Sequence, residues 1–259
     1  MSRENPDVID SLEKAFRLLQ VFSHEHPSLT ISEAAELSGL TRPTARRILL
    51  TMVSLGFAEA QGKHFSLTPK VMRLGFAYLS ALPYWETAQP HMRRLASELN
   101  ESCSMATLDG NEIVYLTRVP GNRSMVTTLN TGSRLPAYAT SMGKILLAHL
   151  KPAALDRYLS EVQLMALTPS TITDPEELRG VLAEARARGY ATADGEREEG
   201  IRSAAAPVFA RGGSVVAAVN VSANAARVSH EKLVSEYVPA LLETARAISE
   251  EIGAVTVMH

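Results

Sequence analysis

The sequence predicts an α+β fold in two parts: a small helical head closed by a hairpin, and a larger domain built around an antiparallel sheet. Three observations predict it. Residues 30–57 read as two short capped helices, with a hairpin directly after them. From Cys103 onward hairpins follow one another, with helices before and after them. No stretch shows the βαβα alternation of a parallel sheet.

The elements can be justified in order. A first helix is expected over residues 10–22, DSLEKAFRLLQVF, with Leu12, Phe16 and Leu19 forming a floor for the next two. Thr30 is a good N-cap, and Glu33, three positions on, completes a capping box. Ile31, Ala34, Ala35 and Leu37 give the apolar stripe of the second helix, and Gly39 ends it. Thr41 caps a third helix whose first turn contains Pro43, where a missing N–H costs little. Ala45, Ile48, Leu49 and Met52 make its buried face. Pro43, Arg47 and Ser54 point outward, and Leu50 falls with them as a break in the pattern. AEAQGKHFSLTP then places Gly62-Lys63 between two alternating runs, a hairpin with Lys63 and His64 at its tip.

Residues 68–81 have helical periodicity through Val71, Leu74, Phe76 and Tyr78 and read as a linker helix that Pro83 breaks. A helix over 86–99 follows, apolar at Met92, Leu95, Ala96 and Leu99. SCSMATLDGNEIVYLTRV is a strand, a turn at Asp109-Gly110 and a second strand, and residues 124–129 read as a third. GSRLPAYATS is expected as a loop, then helices from about 142 to 149, from Lys151-Pro152, and from Asp174-Pro175 to Arg188, where Gly189 stops the chain. Strand-like runs lie near Tyr190, at 205–209 and at 215–221, with Gly212-Gly213 turning between the last two, and a closing helix covers 230–252. The expected domains are a winged helix-turn-helix head at 8–68, a linker helix at 69–82 and a second domain at 83–254.

The head has the layout of a DNA reader. In a helix-turn-helix the second helix of the pair enters the major groove, and here that helix begins with Thr41, Arg42, Pro43, Thr44, Arg46 and Arg47. An arginine fork holds guanine O6 and N7 or clamps a phosphate, and a helix N-terminus itself favours phosphate. Lys63 at the wing is a further phosphate contact, whereas His64 reads equally as a surface histidine. An ordinary solvated basic face is the competing explanation; the two caps and the glycine turn favour DNA.

Bulk properties bound the remaining choices. The chain has 259 residues, 46% of them hydrophobic, and a net charge of −2. Residues 1–70 hold eight Lys or Arg and eight Asp or Glu, so the electrostatic case for DNA rests on the 42–47 cluster alone. So few basic contacts bind weakly in one copy, which points to an oligomer placing two reading helices on a palindrome. No run approaches the roughly 20 apolar residues of a membrane span. MSRENPDV lacks the apolar core of a signal peptide, so a cytoplasmic protein is expected. Cys103 is the single cysteine, which excludes an intrachain disulfide. There is no dinucleotide fingerprint, GxSxG elbow or HExxH helix, and the seven histidines have no ligand spacing, so neither cofactor nor metal is expected. DGEREEG at 194–200 reads as a solvated charged loop.

Small polar residues leave two readings open. Residues 139–144, ATSMGK, open a helix whose N–H groups and hydroxyls could hold a carboxylate. Ser203 and the pair Asn220 and Ser222 fall on strands, where alternate residues face the same side. Spacing alone favours the plainer reading, that these residues cap helices and turns.

Taken jointly, SLEKAFRLLQVF, LTISEAAELSGLTRPTARRILLTMVSLGF, RLPAYATSMGKILLA, RARGYATADGEREEGIRSAAAPVF and VVAAVNVSA resemble the IclR family of bacterial transcriptional regulators over residues 8–252. The resemblance implies a winged helix-turn-helix, a linker helix, a GAF-like effector domain, and dimers or tetramers on operator DNA. RLPAYATSMGK is further similar to the branch controlling aromatic-acid catabolism, the Pca and Pob type, which implies β-ketoadipate, protocatechuate or 4-hydroxybenzoate as effector. The motifs carry the effector positions onto Ser141, Met142, the Ala193-Asp194 region, Ser203, Asn220 and Ser222. Relatives binding glyoxylate-like acids often have cysteine after GLR; here GIR is followed by Ser203, and Asn220 stands where serine is usual, so a different ligand is implied. Arg118, Arg123, Arg134 and Arg202 are cations available to a dicarboxylate. The alternative of another class is an enzyme acting on a small carboxylic acid, with the head as a regulatory graft.

Overall fold

The structure, a computed structural model, describes residues 7–82, 84–121 and 129–255. The chain divides into two compact units between Ala81 and Leu82.

In the first unit α1 (Asp10–Leu19) is followed by β1 (Ser28–Thr30), α2 (Ile31–Ser38), α3 (Arg42–Ser54), β2 (Ala58–Gln61) and β3 (His64–Leu67). Both helix starts follow from their caps. The Thr30 side chain accepts the Glu33 N–H while Glu33 accepts the Thr30 N–H, and Thr41 accepts from the Thr44 N–H. Gly39 ends α2 at φ 66°, a left-handed conformation that costs other residues energy. Ala34, Ala35, Ala45, Leu49, Phe65 and Leu18 share one core.

Several expectations for this unit are corrected. The first helix stops at Leu19, and Leu12 and Phe16 are 52% and 48% exposed, whereas Leu18 is fully buried. Two helical stripes overlap here, and the core takes the one through Leu18 and Leu19 that continues to Phe22 beyond the helix. Leu37 is exposed, and Ser38 is buried in its place with its hydroxyl donating to the Ala34 carbonyl. The strand β1 was not anticipated. It pairs with β3 in the order β1-β3-β2, so His64 faces both Thr30 and Gln61, and the wing tip is Gly62-Lys63 only. The linker segment is a 3-10 turn (Pro69–Val71) leading into α4 (Met72–Ser80), which buries none of its residues.

The second unit starts with α5 (Tyr84–Leu99), then β4 (Ser102–Asp109), β5 (Glu112–Val119) and β6 (Arg134–Pro136). Next come α6 (Ser141–Ala148), α7 (Pro152–Glu161), α8 (Pro175–Arg188), β7 (Ala191–Asp194), β8 (Ile201–Phe209) and β9 (Val215–Asn224). A last helical rod runs through α9 (His230–Lys232), a π-helical stretch (Leu233–Tyr237) and α10 (Val238–Val255). Six antiparallel strands form one sheet in the order β6-β5-β4-β9-β8-β7. The expected loop at 132–141 contains the edge strand β6, paired with β5. Strand β8 begins four residues before the expected 205, because pairing with β9 carries it through Arg202 and Ser203, which have no strand pattern of their own. The strand expected at 124–129 lies outside the described residues except for Leu129, which is in no element, and Pro83 and Arg123 also lie outside.

One sheet face positions the site. Helix α6 is buried along its whole length. It sits over Ala106, Ala205 and Ala218, whose small side chains let a helix approach closely. Farther along the same face the register aligns Ser102 with Ser222, Ser104 with Asn220, and Ser203 with Ser222. The apolar part of that face thus gives way to a polar part beside the N-terminus of α6.

Candidate functional site

In the first unit Thr41, Arg42, Pro43, Arg46, Arg47 and Lys63 are exposed, and Thr44 is half-buried with its hydroxyl 2.9 Å from that of Thr41. Among the described residues none of Arg42, Arg46, Arg47 or Lys63 joins an ion pair. Three unpaired guanidinium groups in the first turns of a helix oppose its dipole, and an anion at that end relieves both. Lys70 is engaged differently: its ammonium donates to the Leu55 carbonyl at the end of α3 and lies over the Phe57 ring.

In the second unit a cavity opens at the polar part of the sheet face. Its volume is about 70 Å³, smaller than the roughly 300–1,000 Å³ of drug-sized ligand sites, so it suits only a small ligand. Ser141, Met142, Ser203, Asn220, Ser222 and Ala193 line it, brought from α6, β7, β8 and β9. Ser141 Oγ and Ser203 Oγ are 2.8 Å apart, and Asn220 Oδ1 accepts the Ser104 N–H at 3.1 Å. The Thr140 side chain accepts the Gly143 N–H at 3.0 Å and so fixes the start of α6.

Asp194 is placed elsewhere. It pairs in register with Arg202, one residue out of step with the Ala193–Ser203 pair. Strand alternation therefore turns it to the other face, where its carboxylate meets the Arg202 guanidinium at 2.7 Å. Among the candidate cations, Arg134 is taken by Asp109 and Glu112, and Arg202 by Asp194 and the Val228 carbonyl. Arg118 lines the cavity; it donates to Ser102 Oγ at 3.2 Å and has no carboxylate partner among the described residues.

Sequence reasoning missed Ser102, Ser104, Tyr115, Glu196 and Arg197 in the cavity wall. The alternation in SCSMATLDG carried a signal for the first two, since Ser102 and Ser104 share a face. The expected solvated loop at 194–200 is corrected at Glu196, which is 8% exposed and bonded to the buried Lys144 ammonium at 2.5 Å. Burial pushes the Glu196 carboxyl above its ordinary range, against the pull of Lys144, and burial pushes the Lys144 ammonium down. Burial also raises the Tyr115 phenol, with Arg197 and Arg118 pulling it back. No cluster of three metal-ligating side chains occurs among the described residues.

A model of the IclR helix-turn-helix domain matches residues 11–62, and a model of the bacterial transcriptional regulator IclR C-terminal region matches residues 76–250. The chain belongs to the IclR family. Like its relatives, this IclR-family chain is a DNA-binding transcriptional regulator. It is 38% identical over 249 residues to the Pca regulon regulatory protein of Pseudomonas putida, covering 96% of this chain and 86% of that one. A solved transcriptional regulator from Rhodococcus sp. RHA1 is 44% identical, with a TM-score of 0.85 over 96% of this chain and all of that one. An IclR homologue from Microbacterium hydrocarbonoxydans, solved in complex with 4-hydroxybenzoate, is 29% identical, with a TM-score of 0.83 over 94% and 99% of the two chains. No helix among the described residues is long and apolar enough to cross a membrane.

Proposed function

We propose that this regulator senses a small aromatic or dicarboxylic acid in the cavity of its second unit and controls genes of aromatic-acid catabolism. The carrying observation is Arg118. Of the charged side chains around the cavity, Glu101 faces Arg227, Glu196 faces Lys144 and Glu198 faces Arg197, while Arg118 has only the Ser102 hydroxyl among the described residues. An entering carboxylate pairs with it and exchanges further hydrogen bonds with Ser141, Ser203, Asn220 and Ser222, while Met142 supplies an apolar wall. The 4-hydroxybenzoate bound to the M. hydrocarbonoxydans homologue supports this ligand class, and the Pca regulon regulated by the P. putida relative supports the choice of genes.

On the DNA side, Thr41, Arg42, Pro43, Thr44, Arg46 and Arg47 read the operator and Lys63 touches phosphate. The regulator acts in the cytoplasm as a homodimer or homotetramer and catalyses nothing. Effector binding shifts the population toward one arrangement of the paired heads, changing their fit to DNA. The test is fluorescence anisotropy of the full chain on its upstream DNA, with and without β-ketoadipate, protocatechuate and 4-hydroxybenzoate. A severalfold change in Kd with one acid supports the sensor, and no change with any acid removes it. Replacing Arg42, Arg46 and Arg47 together by Ala abolishes specific binding; unchanged binding would sink the reader assignment. Calorimetry on Ser203→Val and Asn220→Leu tests the pocket, and equal effector affinity in both would reject it.

A further inference from the structure

Glu196 is an unusual wall residue for a cavity assigned to acids. It is 8% exposed, and the Lys144 ammonium occupies its Oε1 at 2.5 Å. Its Oε2 is buried and makes no hydrogen bond of ordinary geometry among the described residues, although the Asp194 N–H also helps to hold the carboxyl down. The loop holding it is fixed from behind, because the Thr168 and Thr171 hydroxyls donate to the Gly195 and Glu196 carbonyls. A buried acceptor left unpaired is a cost to the fold, and one pinned in place retains that cost until a donor arrives. Lys144 is itself buried and also donates to the Thr192 carbonyl, so the ammonium cannot swing away freely to serve both oxygens.

The position of Glu196 matters as much as its vacancy. Arg118 comes from β5, and Glu196 follows β7 at the end of the order β6-β5-β4-β9-β8-β7. Four strand spacings, about 19 Å of backbone, separate those two strands, and both residues line the cavity together with Ser104, Asn220 and Ser203 from the strands between. A cation and an acceptor thus reach one cavity from strands on either side of β4, β9 and β8.

We propose that Glu196 Oε2 is the specificity-determining acceptor of this cavity, receiving a hydroxyl proton donor at the end of the effector remote from its carboxylate. This inference rests on the acid-sensor reading above and narrows it. The cavity selects rigid acids with a distal O–H, and discriminates against acids lacking that group or carrying it beside the carboxylate. Discrimination follows because only a ligand with the donor relieves a cost that the unliganded fold already carries, and a ligand without it leaves that cost in place.

The experiment is calorimetry on the full chain with benzoate, 2-hydroxybenzoate and 4-hydroxybenzoate, on wild type and on two variants. Glu196→Gln keeps the shape but places an amide at the wall. The paired change Lys144→Met with Glu196→Met removes both charges together, which spares the fold an unpaired buried ion, and a thermal melt checks that it is folded. In wild type 4-hydroxybenzoate should bind at least about tenfold tighter than the other two acids, a difference of about 1.4 kcal/mol. In the Met pair that preference should vanish while benzoate affinity changes little, an outcome that a purely structural role for the pair would not produce. Benzoate binding as tightly as 4-hydroxybenzoate to wild type, or a preference surviving in the Met pair, overturns the proposal and leaves the sensor reading intact. Failure of every acid to bind wild type overturns both.

Discussion

Gly143→Ala sets two effects of known sign against each other. In a helix interior alanine is favoured over glycine by about 1 kcal/mol, so propensity alone predicts a more stable protein. The structure predicts the reverse. A Cβ at Gly143 would stand 2.0 Å from the Ala137 carbonyl oxygen and 2.5 Å from its C and Cα. All three are backbone atoms, so no side-chain rotation relieves the contact, and α6 must withdraw by about 1 Å to reach even a tight 3.0 Å. Overpacking of this kind costs about 1–3 kcal/mol, occasionally more. The withdrawal also strains the Thr140 cap on the Gly143 N–H and the 2.8 Å Ser141–Ser203 contact, and loss of the cap alone costs roughly 1 kcal/mol. The net expectation is a loss of about 2 kcal/mol, which lowers Tm by about 4–8 °C for a unit of this size. Trp85, the single tryptophan, lies in α5 of the same unit, so its fluorescence reports this transition separately from the head. An unfolding midpoint equal to or above wild type would show that the helix is not held against Ala137.

Further predictions concern other parts of the molecule. Thr30→Ala removes half of a reciprocal cap and should destabilise the first unit by about 1 kcal/mol in urea unfolding. The Glu33 carboxyl is held below its ordinary value by the Thr30 N–H and then by the Thr30 hydroxyl. Its contribution is therefore present above the unfolded-state pKa of about 4.3 and is lost as pH falls through the lower folded value. The penalty of Glu33→Gln should accordingly shrink between about pH 6 and pH 3, and a penalty equal at both would show that the charge plays no part. Cys103 is fully buried, and burial pushes its thiol far up. Native protein should resist iodoacetamide and react only as the second unit unfolds, so rapid labelling in buffer would contradict the burial. Asp194→Asn should leave acid affinity within about twofold, because the carboxylate sits on the sheet face opposite the cavity; a tenfold loss would place it in the site after all.

What the sequence disclosed divides by range. Signals that act within one turn of chain were readable: the Thr30–Glu33 box, the Thr41 cap, Gly39 and Gly189 in left-handed geometry, and the Gly62 and Gly110 hairpins all occur where the residue types demand them. Errors fell where two local patterns compete or where a partner is distant. The first helix carries two apolar stripes, and only the position of α2 and α3 decides between them. The strand β1 has three residues and no pattern of its own, and it exists because β3 lies alongside. The onset of β8 lies ahead of its alanines, in Ile201-Arg202-Ser203, and is set by pairing with Asn224, Ala223 and Ser222 of β9.

The cavity shows the same division more sharply. Asn220 and Ser222 could be placed on one face by counting residues, whereas Ser203 joined them, and Ala193 and Asp194 were separated, only through strand register. Glu196 lay beyond such counting. In DGEREEG it is one acid among four, and each reads as a solvated charge; what singles it out is an ammonium 52 residues earlier in the chain, on α6. Buried ion pairs are poor sources of stability, since desolvation offsets much of the attraction. A fold that places one in the wall of its cavity, with one carboxylate oxygen bonded and the other free, is therefore explained better by what the free oxygen receives than by what the bonded one holds.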